Sequence, residues 1–111
     1  MRSRAIRVPV WNAVTSFNGR SAAVVNISRT GVLLVMDGTL PPGRKEGVLA
    51  FEFENGTRLL QCRVVRQRLE PPNLRETYPK WHVALEFIDS EERTAEVVRM
   101  VMGGQRLRRA S

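Results

Sequence analysis

Hydrophobic residues recur at every second position over much of this chain. Leu49, Phe51 and Phe53 alternate with small or polar neighbours, and Leu60, Cys62 and Val64 alternate against Gln61 and Arg63. A period of two marks a strand with one buried face. The same pattern predicts strands over residues 8–16, 21–27, 31–36, 47–53, 57–67 and 81–88; in the last, Trp81, Val83, Leu85 and Phe87 share a face. Pro9 suits the start or edge of the first strand. Asn18-Gly19 and Asn55-Gly56 are hairpin signals, because tight turns between twisted strands need positive φ. Leu40-Pro-Pro-Gly43 and the proline-containing segment 68–80 read as loops. Only the end of the chain changes period. Val97, Val98 and Val101 form a helical stripe, Asp89 with Glu92 three residues later resembles a capping box, and Gly103-Gly104 is a stop. Six short antiparallel strands and a C-terminal α-helix predict an all-β fold, a six-stranded barrel that leaves no open sheet edge.

At 111 residues, the chain has the length of one domain. Residues 1–7 read as a flexible basic arm, 8–104 as the barrel with its closing helix, and 105–111 as a basic tail. The longest purely apolar run, residues 32–36, is far short of the ~20 residues of a membrane helix. The basic start is not followed by an apolar segment of the secretory type, so a cytoplasmic location is expected. One Cys and one His, Cys62 and His82, cannot supply the roughly four ligands of a closed zinc site. Cys62 reads as a small core residue and His82 as a surface strand residue. No paired carboxylates and no nucleophile with a base stand out, so an enzyme is not expected.

Charge is unevenly placed. The net charge is +7, yet residues 37–102 are near neutral; Arg2, Arg4, Arg7, Arg20 and Arg29 precede the first acid, Asp37, and Arg106, Arg108 and Arg109 close the chain. Sixteen of the eighteen cations are Arg, whose planar fork suits phosphates and guanine edges. Between the second and third strands lies Asn26-Ile-Ser-Arg-Thr-Gly31. Asn26 carries an amide that can read a base edge, Ser28 a hydroxyl, and Gly31 permits close approach or positive φ. As spacing alone, Asn-x-Ser-x-x-Gly is a weak signal that favours a simple turn over a binding site.

The order of these features resembles the PilZ domain, a bacterial receptor module for cyclic di-GMP. The resemblance runs from the basic arm and Arg7-Val-Pro-Val10, through Asn26-Ile-Ser-Arg-Thr-Gly31-Val-Leu-Leu and Leu40-Pro-Pro-Gly43, to Trp81-His-Val-Ala-Leu-Glu-Phe87. It implies a PilZ-like barrel with cyclic di-GMP as ligand and no further cofactor. The implied ligand-binding residues are Arg2, Arg4 and Arg7 on the arm, with Asn26, Ser28 and Gly31 at the corner. In the family, an Arg-x-x-x-Arg motif grips phosphates and guanine edges, and the Asn/Asp-x-Ser-x-x-Gly motif holds a guanine. Arg7 fills the last place of the first motif, but Ser3 stands where the other arginine belongs. The resemblance further implies an effector protein that reads the loaded module, with outputs in motility, exopolysaccharide synthesis, adhesion or pilus function. Two other readings stand beside it. One is a nucleotide-free adaptor that binds only protein, favoured by Ser3. The other is a small barrel for single-stranded nucleic acid, favoured by the charge but opposed by an aromatic content of 6%, few rings on which to stack bases. DNA or RNA is therefore not the expected partner. Trp11, beside the arm, could stack on a base, whereas Arg63, Arg66 and Arg68 read as a solvated barrel wall.

Overall fold

A computed structural model of the chain describes residues 8–9, 15–37, 46–71 and 79–102. It contains strands β1 (Val8–Pro9), β2 (Thr15–Phe17), β3 (Arg20–Ile27), β4 (Gly31–Asp37), β5 (Glu46–Phe53), β6 (Gly56–Glu70) and β7 (Lys80–Phe87), followed by helix α1 (Glu91–Met102). Hydrogen bonding runs β3-β2-β5-β6-β7-β4 and returns to β3, every pair antiparallel. Six strands thus close into a barrel, as the alternation predicts. β1 is a short addition that pairs with the far end of β3, through Val8 to Ile27 and Pro9 to Asn26.

Inward-facing residues come from each of the six barrel strands. Leu34, Leu49, Phe51, Leu60, Cys62 and Ile27 are wholly buried, with Phe17, Phe53, Val83 and Leu85 around them. Phe51 and Phe53 lie with ring centroids 6.3 Å apart, tilted at 38°. Burying an aromatic side chain removes about 150–250 Å² from water, so this pair is a large share of the driving force. Helix α1 joins the same core through Val97 and Val98, with Val101 packed against its margin.

Four details differ from the alternation. The expected first strand is two strands, β1 and β2, on the same side of β3; five residues separate Pro9 from Thr15, while only three separate their partners Asn26 and Ala22. β1 and β2 therefore do not share one register against β3. The second hairpin turns at Glu54-Asn55, since Phe53 pairs with Gly56, which takes φ +132°. β6 runs to Glu70, three residues into the segment expected to be loop, because β7 extends alongside it from Lys80. Ser90, not Asp89, caps α1: its hydroxyl accepts the Arg93 amide at 3.2 Å. Asp89 instead bridges elements, accepting the amides of Gln61 on β6 at 3.0 Å and of Ser90 at 2.8 Å. The first hairpin is as expected, with Asn18 and Gly19 at φ 52° and 79°. Among the described residues no helix is long and apolar enough to cross a membrane. The loop 40–43, Trp11, the arm, the glycine stop and the tail lie outside the described residues.

Candidate functional site

The Asn26–Gly31 segment is the hairpin tip joining β3 to β4. It is closed by a backbone bond from the Ser28 amide to the Gly31 carbonyl, 2.9 Å. Ser28 is buried, and its hydroxyl is occupied inside the turn. It accepts the amides of Thr30 and Gly31, both at 3.3 Å, and lies 3.2 Å from the Thr30 hydroxyl and 3.4 Å from the Gly31 carbonyl. A hydroxyl has two lone pairs and one proton, so Ser28 is saturated here and acts as a turn-former.

Gly31 has no positive φ. A Cβ there would overlap the backbone carbonyl oxygen of Leu85 on β7. The glycine therefore serves close strand approach. The Thr30 carbonyl accepts the Phe87 amide at 3.0 Å, which ties the tip to β7. Arg29 is left exposed on the tip.

Asn26 owes its position to an irregularity. Ala22 and Val24 face the core, and strict alternation would turn Asn26 inward as well. A β-bulge at Val25 breaks the register against β4, pairing Val24 with Leu34 but Asn26 with Leu33. The extra residue reverses the phase, so Ile27 is buried and Asn26 lies half-buried on the outer wall. Of the three corner residues, Asn26 is the one whose side chain the strand presents outward; Ser28 and Gly31 hold the turn that places it.

Arg2, Arg4 and Arg7 lie outside the described residues. Arg7 is nevertheless covalently joined to Val8, whose Cα partner is Ile27, one residue before Ser28.

The remaining ionisable groups sit elsewhere. Burial first, and the Asp89 carboxylate second, push the Cys62 thiol up to about 12. This thiol is inert core, as its alternation suggests. His82 is on the outer face, with Nε2 2.6 Å from a Glu70 carboxylate oxygen, and this hydrogen bond lowers the Glu70 pKa. Arg63 pairs with Glu86 at 3.3 Å. A depression of about 540 Å³ between α1 and the start of β6 is lined by Glu92 and Glu96 as well as Arg58 and Arg93, a mixed lining with no preference for an anion. No family model, curated protein or solved structure matches this chain.

Proposed function

We propose that this chain is a binding module for cyclic di-GMP that couples the level of this second messenger to an effector protein. The observation that carries the reading is the pairing of Val8 with Ile27. The strand that directly follows Arg7 in the sequence is paired beside a corner whose sequence is Asn26-x-Ser-x-x-Gly31, on a closed barrel with a C-terminal helix. Both the motifs and their order along the chain resemble those of PilZ domains. Arg7, with Arg2 or Arg4, supplies forks for the phosphates and a guanine edge, and Asn26 supplies an amide for a base edge. Ser28 and Gly31 act by fixing the turn. The module does no chemistry on the nucleotide. It works by drawing residues 2–7 onto the barrel, so that a partner protein meets a changed surface.

The nucleotide-free adaptor remains the second reading, supported by Ser3 and by the internal use of Ser28 and Gly31. Calorimetric titration of the folded chain with cyclic di-GMP separates the two. Saturable binding, with GMP and cyclic AMP much weaker, is expected. A flat titration at high micromolar ligand would leave the adaptor.

A further inference from the structure

The depression of about 540 Å³ between α1 and β6 has two unlike sides. Val97 and Val98 anchor α1 to the core, and the Asp89 and Ser90 hydrogen bonds fix where the helix begins. Glu92 and Glu96, one turn apart and exposed, then fall on the side that lines the depression. Across from them, β6 contributes Arg58. Among the described residues none of these three forms an ion pair. Arg58 Nη1 donates to the carbonyl of its own neighbour Thr57 at 3.3 Å. Arg93, the cation that α1 itself adds to the lining, lies with Nε 3.8 Å from Asp89 Oδ1. The helix side is therefore acidic and the strand side basic.

The floor is apolar and partly open to water. Val97 is buried, but Leu59 is 49% exposed. Leu59 also does not stand alone. It pairs with Ala50 on β5, and Val48, which pairs with Gln61, is its diagonal neighbour on the same outer face and is 40% exposed. An exposed apolar strip thus runs across β5 and β6 into the depression, and contiguous apolar surface of this kind marks an interaction site.

A partner of one charge would be repelled by one side of the depression. A surface with the same polarity turned around would be attracted by both. A two-fold axis supplies such a surface, because in an isologous contact each patch meets its own copy reversed. We propose that the α1–β6 depression is the contact between two copies of this chain, with the Glu92–Glu96 side of each facing the Arg58 side of the other and Leu59 covered between them. None of Asn26, Ser28 and Gly31 lines the depression, so the inference is independent of the cyclic di-GMP reading. Exposed ion pairs add little affinity, so covering Leu59 and Val48 drives association while the charges set its orientation.

Sedimentation velocity on the full chain from low to high micromolar concentration tests this, with a thermal melt of each variant as the folding check. The unaltered chain should approach twice the monomer mass as concentration rises and return to monomer on dilution. Glu92→Arg/Glu96→Arg and Arg58→Glu should each stay monomeric where the unaltered chain is dimeric. Mixed in equal amounts, the two variants should dimerise again, because the reversed helix side then meets the reversed strand side and the two unaltered sides meet each other. Acidic residues favour the first turn of a helix, so if the helix variant melts early, Glu96→Arg alone replaces it with the same expectation. A monomer at every concentration would overturn the proposal. A dimer indifferent to both reversals, or a mixture that stays monomeric, would overturn it equally.

Discussion

An alanine methyl at position 31 would meet the carbonyl of Leu85, which is backbone and cannot swing aside. Gly31→Ala should therefore cost about 1–3 kcal/mol of stability, as overpacking does, read as a lowered denaturation midpoint. Asn26→Ala should behave in the opposite way, with binding weakened by roughly 1–3 kcal/mol and little change in melting temperature. Unfolding by Asn26→Ala with normal binding of the folded remainder would make Asn26 a turn residue only. On the arm, Arg7→Ala should cost binding about 1–3 kcal/mol while sparing the barrel. Ser3→Arg should tighten cyclic di-GMP about three- to thirtyfold, since a new charge-assisted hydrogen bond there is partly offset by the cost of ordering the arm. Equal affinities would mean that Arg2 or Arg4 already fills the place. Cys62 gives an independent check on the core: with its thiol at about 12 and no exposure, iodoacetamide should label it only in denaturant. The corner motif was visible in the sequence as a spacing, but the jobs of its members were not. Whether a serine hydroxyl meets a ligand or two amides of its own turn depends on where the chain folds back.

At the level of elements, the alternation located each barrel strand, because one face of each is buried and the period follows directly. Asn18-Gly19 was legible for a different reason, that its turn demands positive φ at both residues. The bulges at Val25 and Val65 were not legible. A single extra residue within a Val-Val pair leaves the hydrophobic pattern plausible in either phase, so the outward phase of Arg66 and Arg68 shows only in the register with β7. The start of α1 was misplaced by one residue because Asp and Ser both cap well, and the choice is made by β6, whose Gln61 amide takes the Asp89 carboxylate. That bond is also the largest cause of the lowered Asp89 pKa, followed in the same direction by the Ser90 amide and Arg93. A carboxylate with a folded-state pKa below its unfolded value adds stability that is full above the unfolded value and is lost as pH falls through the folded one. The melting temperature should thus drop on acidification below about pH 4, the unperturbed Asp value, and Asp89→Ala should flatten that drop. A slope unchanged in Asp89→Ala would place the acid sensitivity on other carboxylates.

For the whole molecule, closure of the barrel removes the edges that would otherwise invite other chains. What remains to be recognised is the outer wall and the charge arranged around it. The middle of the chain is near neutral, so the +7 surplus belongs to the N-terminal third and the tail. A ligand held by arginine forks at the wall should bind more weakly as salt rises, because exposed charge pairs are screened over ~10 Å at 0.1 M. A steep salt dependence without nucleotide selectivity would instead describe a general polyanion surface. The most direct measurement is therefore calorimetry of the unaltered chain against cyclic di-GMP and, side by side at the same salt, a single-stranded RNA oligomer. Saturable binding of cyclic di-GMP is expected, with at most weak, salt-sensitive association with RNA. Tight RNA binding with no response to cyclic di-GMP would contradict that expectation.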